Sequence, residues 1–332
     1  SFLLPRATAL HIYEHFDLVR NCVASSNCIN LVEYLDSFVE EKGPDQYEFY
    51  IVMELCENGS VKELCKSKMH QIHTSKANVL SPITLFTTFH KPSNKHQETT
   101  PGDAEVLRYA IQIAKGVKEL HDRRLVHCDL KMDNVLATQL GSVLKVGDFG
   151  RIQQLDNLIY KGPIGSIGYM APELMASDGL VTTASDIFSL GVILFELMTG
   201  SITTVDTQEN WIMSREIAKN ESQAHKKLRA ELKKFGYCLE LTKLTISMLS
   251  LQAKKRPTIP QVLAELQTIK DSKFAHDVQL LEWQDRFLLL EKELEKERSV
   301  RMTLSTLLEK ERLKARRAQL ELDSLKKKLP AQ

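Results

Sequence analysis

The sequence predicts an α+β globular domain over residues 1–272 and, after it, a helix that forms a coiled coil over residues 277–329. Strand and helix patterns mix throughout the first part, whereas a heptad repeat of apolar residues runs through the second. Hydrophobic residues make up 43% and charged residues 26% of the 332 residues, which is typical of a soluble globular protein. The net charge is +1, so no overall attraction draws the chain to nucleic acid or to a membrane, and we expect neither as a partner.

Four segments of the globular part have clear secondary-structure patterns. Residues 47–54 are rich in β-forming side chains and predict a strand, and residues 143–147 predict a second, shorter strand. Residues 105–121 carry apolar side chains over a broad helical face, which predicts a largely buried helix. Residues 185–198 are apolar around the whole helix and predict a central, fully buried one.

A polar segment, residues 69–103, interrupts this globular pattern. It contains four histidines, three prolines and several Ser and Thr residues, a composition typical of a loop insertion on the surface. The spacing of the histidines matches no common metal-ligand pattern, so we favour a solvated loop over a metal site.

The cysteines and the apolar stretches bear on cellular location. Six cysteines are spaced irregularly and form no Cys-x-x-Cys pair, which argues against structural zinc and suits the reduced thiols of a cytosolic protein. The most apolar stretch, residues 187–198, is too short to cross a bilayer and contains Glu196. We therefore expect a cytoplasmic protein.

The C-terminal heptad pattern predicts self-association. Its misfits are Glu297, Arg301 and Glu311, and dense Glu, Lys and Arg separate the apolar positions. A coiled coil that makes the protein a homo-oligomer would bury this seam, at about 1.5–3 kcal/mol for each buried Leu. The alternative is a helix that packs back on its own globular domain. The a and d positions are Leu280, Trp283, Phe287, Leu290, Leu294, Leu304, Leu308, Ala315, Ala318, Leu322, Leu325 and Leu329.

Three motifs in the globular part carry chemistry. Residues 125–136 read Leu-Val-His-Cys-Asp-Leu-Lys-Met-Asp-Asn-Val-Leu, residues 148–150 read Asp-Phe-Gly, and residues 171–173 read Ala-Pro-Glu. In order and spacing, the sequence resembles the eukaryotic protein kinase superfamily, of Ser/Thr type. The resemblance covers roughly residues 8–272. It implies a two-lobed fold with a small N-terminal lobe and a mainly helical C-terminal lobe.

The resemblance also implies roles for the residues of these motifs. Asp129 would orient or deprotonate the substrate hydroxyl, and Lys131 would reach the transferring γ-phosphate of ATP. Asn134 and Asp148 would coordinate Mg²⁺, because their hard oxygen ligands suit a hard cation. Any one of these residues alone is more often an ordinary turn residue. Together they predict phosphoryl transfer from ATP–Mg²⁺ to protein substrates.

Two features of the motifs favour Ser or Thr as the acceptor. Lys131 follows the catalytic aspartate by two residues, a pattern seen in the Ser/Thr kinases of the superfamily. Ser166 lies in Gly165-Ser-Ile-Gly-Tyr-Met-Ala-Pro-Glu173, which resembles the substrate-docking segment. Such kinases place a hydroxyl there that bonds the catalytic Asp and Lys.

The adenine site is implied by a segment that resembles the connection between the two lobes. Met53 would be the gatekeeper, the backbones of Glu54 and Cys56 would bond adenine, and Leu136 would form its floor.

Glu14 is the candidate for the upper-lobe helix glutamate that holds the ATP lysine, and Asp17 is the competing choice. Leu18, one turn after Glu14, would then stack with His127 and Phe149.

Two structural supports are also implied. Asp186 on the central helix would hold the catalytic-loop backbone. Glu173 and Arg256 would form the ion pair of the lower lobe.

The N-terminal part departs from the family pattern. Neither a Gly-rich phosphate loop nor a Val-Ala-x-Lys-type lysine precedes Glu14, and Arg6 is the single Lys or Arg among the first thirteen residues. We therefore expect an incomplete N-terminal lobe and, since the chain begins at Ser1 rather than Met, a truncated one. The alternatives to an active kinase are a catalytically weak pseudokinase scaffold that acts through the coiled coil, and a purely structural interaction protein.

The catalytic loop departs from the pattern as well. Cys128 stands where the family usually has an Arg that pairs with a phosphorylated residue of the activation segment. Between Gly150 and Gly165 the single hydroxyl is that of Tyr160. We predict that Ser or Thr phosphorylation before Ser166 does not switch this segment.

Overall fold

A computed structural model describes the chain in eleven parts and divides it into two compact units, residues 1–281 and 282–332. Glu14, Asp17, Leu18, Tyr160 and almost all of the predicted loop 69–103 lie outside the described residues. The described residues are 3–4, 16, 20, 23, 27–43, 46–65, 102–138, 143–155, 163–175, 180–200 and 213–328.

An antiparallel sheet of three described strands forms the N-terminal part of the first unit. Its strands are β1 (Leu3–Leu4), β2 (Tyr34–Gly43) and β3 (Gln46–Met53), in the order β1-β3-β2. The strand predicted over residues 47–54 is confirmed as β3. Cross-strand aromatic pairing contributes to the register, because the Phe38 and Tyr50 rings lie opposite each other and stack at 4.8 Å.

A helix and two short ribbons follow and build the floor of the candidate site. The helix α1 (Asp103–Asp122) confirms the predicted helix over residues 105–121 and buries one broad face. Gly116 lets α1 pack closely against the backbone at Asn30, since a Cβ at position 116 would overlap the Asn30 carbonyl. Each antiparallel ribbon pairs two strands: β4 (Leu125–Val126) with β7 (Gln153–Gln154), and β5 (Val135–Ala137) with β6 (Leu144–Val146).

The remaining helices enclose a core around a central helix. Every residue from Ser185 to Thr199 of the helix α2 (Thr183–Thr199) is buried, which confirms the prediction for residues 185–198. The amphipathic helices around it bury one face each, as in α4, where Ala224, Leu228 and Leu232 point inward. These helices are α3 (Met213–Lys219), α4 (Glu221–Phe235), α5 (Leu239–Met248) and α6 (Ile259–Ile269).

The C-terminal helix α7 (Ala275–Lys328) is 54 residues long and follows a π-helical turn (Lys270–Phe274). It confirms a continuous helix over most of residues 277–329. The described seam is open in the single chain: Trp283 is 63% and Leu308 60% exposed. The coiled coil itself stays a prediction. Among the described residues, none of the helices is both long and apolar enough to cross a membrane.

Candidate active site

A buried carboxylate fixes the backbone of the predicted catalytic loop. Asp186, at the start of α2 and 1% exposed, accepts hydrogen bonds from the N–H groups of His127 (2.8 Å) and Cys128 (3.0 Å). His121 Nε2 lies 2.9 Å from the same carboxylate. Burial opposes the ionised form of Asp186, but the hydrogen bond and charge of His121 outweigh it and hold the pKa below its ordinary value. The predicted support by Asp186 is confirmed.

Three predicted side chains meet in one hydrogen-bonded triangle. Ser166 Oγ donates to Asp129 Oδ1 at 2.6 Å, while Lys131 Nζ lies 3.2 Å from Asp129 Oδ2 and 2.9 Å from Ser166 Oγ. Asp129 is 6% exposed, so little water screens the attraction between its carboxylate and the Lys131 ammonium. The triangle therefore places a carboxylate, an ammonium and a hydroxyl together, and the predicted contacts of Ser166 are confirmed.

The two predicted metal ligands lie at one end of the ribbon β5–β6. Gly147 donates its N–H to the Asn134 carbonyl at 2.9 Å, so Gly147 lies opposite Asn134 and Asp148 is the next residue. The Asn134 side-chain NH₂ donates to the Asp129 carbonyl at 2.9 Å. This bond turns the amide nitrogen away and leaves the amide oxygen and the Asp148 carboxylate as donors, a set that fits Mg²⁺. Over the described ranges, His, Cys, Asp and Glu form no cluster of three or more suited to a metal.

The predicted adenine segment is joined to the same ribbon. Ala137 donates its N–H to the Gly59 carbonyl at 2.8 Å, and Ser60 bridges to Leu136, which brings the segment after β3 beside Leu136. Met53, the predicted gatekeeper, is 42% exposed. Leu136 and Cys56 are half-buried.

Sequence reasoning missed what the Glu54 side chain does. The backbone N–H of Glu54 donates to the Glu33 carbonyl at 3.0 Å, and the Glu54 carboxylate accepts from the Glu33 N–H at 2.7 Å. Lys145 of β6 forms an ion pair with the same carboxylate at 2.7 Å. With its N–H engaged, the Glu54 backbone can offer adenine only its carbonyl.

An aromatic stack links the sheet to the Asp148-Phe149-Gly150 motif. The ring of Phe149 lies 5.9 Å from His127, edge to face, as the sequence predicts. The ring of Tyr34 of β2 stacks on Phe149 at 5.0 Å, and Tyr34 in turn packs on Phe16 at 6.1 Å. Burial raises the pKa of Tyr34 to about 12. Tyr34 and Phe16 were missed; the predicted member Leu18 lies outside the described residues.

The lower-lobe ion pair is confirmed as a bidentate contact. Arg256 Nη1 and Nη2 each lie 2.7 Å from one carboxylate oxygen of Glu173, and the Arg256 side chain is fully buried. Glu173 belongs to the 3₁₀ turn Pro172–Met175, a few residues after Ser166. The pair thus anchors the end of the segment that carries Ser166.

Comparison with known proteins agrees with this arrangement. A family model described as protein kinase domain matches residues 18–266, well over half of the chain. Human serine/threonine-protein kinase Nek5 is 29% identical over 172 residues, which are 51% of this chain and 20% of that protein. Cell division control protein 7 of Schizosaccharomyces pombe (strain 972 / ATCC 24843) is 31% identical over 173 residues, 52% of this chain and 13% of that protein.

A plant relative covers more of the chain. The probable serine/threonine-protein kinase CCRP1 of Zea mays is 28% identical over 242 residues, 70% of this chain and 31% of that protein. The chain therefore spans less than a third of the length of each of these three relatives. The family match and the type of the relatives show that the chain belongs to the eukaryotic protein kinase superfamily and is of Ser/Thr type.

Proposed function

We propose that this chain is an active Ser/Thr protein kinase, with its kinase domain in residues 1–272, and that it acts in the cytoplasm. The observation that carries the proposal is the triangle of Asp129, Lys131 and Ser166, with its bonds of 2.6 to 3.2 Å. Burying a carboxylate costs stability unless a partner compensates its charge, so a buried carboxylate with an ammonium beside it calls for a reason. A scaffold provides no such reason. Phosphoryl transfer needs both groups.

Each group of the site then has one task. Asp129 accepts the proton of the substrate hydroxyl while the hydroxyl oxygen forms a bond to the γ-phosphorus. The bond from that phosphorus to the leaving oxygen of ADP breaks at the same time. Lys131 lies beside the reacting centre and neutralises charge on the transferring group. Ser166 bonds both Asp129 and Lys131 and so ties them to the substrate-docking segment.

The cofactors of the proposal are ATP and Mg²⁺, which the family generally uses. Asn134 and Asp148 would hold the metal. Met53, the carbonyl of Glu54, the N–H of Cys56 and Leu136 would hold adenine. When bound, the metal nucleotide supplies the phosphoryl group and the positive charge that stabilises its transfer. We also propose, from the resemblance alone, that Glu14 is the upper-lobe helix glutamate that holds the ATP lysine.

Asp129→Asn is expected to lower the rate of phosphate transfer about a hundred-fold, because the variant keeps the shape but cannot accept the proton. The assay measures transfer from labelled ATP–Mg²⁺ to a Ser/Thr substrate mixture. Asp133→Asn is the matched control: it is the same change four residues on, where Asp133 pairs with Lys62 and is 42% exposed. Equal rates in the two variants would exclude Asp129 as the base.

The pseudokinase scaffold is the second candidate, and it is favoured by the lack of a Gly-rich phosphate loop and of a Val-Ala-x-Lys-type lysine within residues 1–13. It predicts that wild type and Asp129→Asn transfer phosphate equally slowly on every substrate. In that case the function would lie in what the C-terminal helix binds.

We propose further that residues 277–329 pair with a second copy of the chain. Support comes from the length of α7 and from its open seam, since Leu290 and Leu294 are each 52% exposed. Leu buried in such a seam stabilises association, whereas an exposed one stabilises nothing.

Replacing Leu290 and Leu294 by Asp is expected to weaken self-association about a hundred-fold, because each substitution removes buried apolar area from both helices. Lys292→Asp, on the outer face of the same heptad, is the control and should leave the assembly intact. Sedimentation velocity at micromolar concentration measures both. A wild-type chain that sediments as a monomer would contradict the proposal.

A further inference from the structure

Arg151 directly follows the Asp148-Phe149-Gly150 motif, and its guanidinium reaches two groups of the candidate site. Nη1 donates to the Gly165 carbonyl at 2.8 Å. Nε lies 3.9 Å from Asp129 Oδ2. One side chain therefore joins the first residue after the motif, the residue before Ser166 and the catalytic carboxylate.

Gly165 also lies close to the catalytic-loop backbone. Its φ is +118°, in the region that favours glycine, and a Cβ there would lie 2.7 Å from the Cys128 carbonyl oxygen. Cys128 itself has a φ of 63°. Such conformations persist only where the surroundings hold them. Gly165 is thus fixed between the catalytic-loop backbone and the guanidinium of Arg151.

Cys128 offers no cation for this task. Its side chain is buried, and its thiol points back to the Val126 carbonyl at 3.5 Å. Burial raises the pKa of the thiol far above its ordinary value, so Cys128 is a neutral thiol at any physiological pH. The charge that meets the Gly165 carbonyl belongs to Arg151.

We propose that Arg151 is a positioning residue that holds Gly165 and Ser166 against Asp129, so that the triangle forms without a phosphate on the segment. The proposal rests on the proposed kinase function for its catalytic consequence, but not for its structural one. A guanidinium suits the task because its planar fork serves a carbonyl and a carboxylate at once. A Lys ammonium would be a single point charge in the same place.

The first experiment is independent of activity. Amide hydrogen exchange of residues 164–169 is measured in the full chain for wild type, Arg151→Ala and Arg229→Ala. Arg229 is an exposed residue of α4 and serves as the matched control. We expect exchange about ten-fold faster in Arg151→Ala, because a charged hydrogen bond to the Gly165 carbonyl is lost. Equal exchange in all three proteins overturns the proposal, whether or not the chain is a kinase.

The second experiment reads the catalytic consequence. Arg151→Ala is expected to lower kcat about ten-fold and to leave the Kd for ATP unchanged, because the side chain acts through Ser166 and Asp129. N-methylguanidinium added to this variant should restore part of kcat, and Arg151→Lys should not match wild type. If Arg151→Ala instead raised only the KM, for a substrate peptide with acidic residues, and left kcat unchanged, Arg151 would be a substrate contact. That result would overturn the positioning role.

A double-mutant cycle closes the test. If Arg151 acts by placing Ser166, then Arg151→Ala should lower kcat much less in the Ser166→Ala background than in wild type. The effects of the two changes on kcat are then not additive. Strict additivity would show two independent effects and contradict the proposal. Circular dichroism of each variant verifies folding, and should Arg151→Ala unfold, Arg151→Lys carries the same cycle.

Discussion

Arg256→Met is expected to destabilise the protein by about 3–5 kcal/mol, as for one partner removed from a buried ion pair. The fully buried guanidinium bonds both oxygens of Glu173 and donates to the carbonyls of Ser250, Ala184 and Leu251. It also lies over the Phe188 ring, 5.0 Å from its centre. Methionine fills part of the volume but donates to none of these acceptors. Glu173 keeps the hydrogen bond from the Ser185 hydroxyl but loses its compensating charge.

Urea unfolding followed by circular dichroism measures the free energy of unfolding. The control is Lys273→Met, since Lys273 pairs with Glu240 at 2.6 Å but both side chains are more than 40% exposed. Exposed pairs contribute about 0–1 kcal/mol. If the two variants unfold at the same urea concentration, the buried pair does not hold the lower lobe together.

The pair also bears on the site. Glu173 ends the segment that carries Ser166, so a loosened Glu173 would loosen the triangle as well. Glu173→Gln with Arg256→Met is expected to cost less than the sum of the single changes, because the charge left uncompensated by one is removed by the other.

The sequence predicts best what is local in the chain. Asp129, Lys131 and Asn134 lie within six residues, and one loop with its 3₁₀ turn Met132–Asn134 determines their mutual placement. The buried helix α2 was equally clear, since an apolar pattern around the whole helix has one physical explanation.

Contacts between distant segments escaped prediction. Tyr34 meets Phe149 across 115 residues, and Lys145 meets Glu54 across 91. Tyr34 looks like any aromatic residue of a half-buried strand, and Lys145 looks like a solvent-facing residue between two apolar neighbours. The period of a strand tells which side a residue faces, but not what the facing element brings to it.

Arg151 shows a third limit. Its position after the motif is plain in the sequence, but its role depends on the positive φ of Gly165 and on the path of the backbone near Cys128. Neither feature follows from a residue pattern. The absence of an Arg at position 128 was visible, and the structure adds the cation that stands nearby.

Asp186→Asn is expected to destabilise the protein by about 3–5 kcal/mol and to disorder the catalytic loop. The carboxylate accepts from two backbone N–H groups, one per oxygen, and from His121. An amide keeps one acceptor and turns an NH₂ group toward the other N–H, which leaves a buried donor unpaired. Asp122→Asn is the matched control, because Asp122 pairs with Lys118 and is 52% exposed; it should change stability by less than about 0.5 kcal/mol.

The pH dependence of unfolding separates the charge of Asp186 from its shape. Its pKa in the folded protein lies below the ordinary value of about 3.9, so the ionised group adds stability above that value. This contribution is lost as the pH falls through the lowered pKa. Wild type should therefore lose more stability than Asp186→Asn between about pH 5 and pH 3, where the amide does not titrate. Parallel stability curves for the two proteins across this range would mean that Asp186 holds the loop by its shape alone, and that the ionised carboxylate is not what fixes His127 and Cys128 beside Asp129.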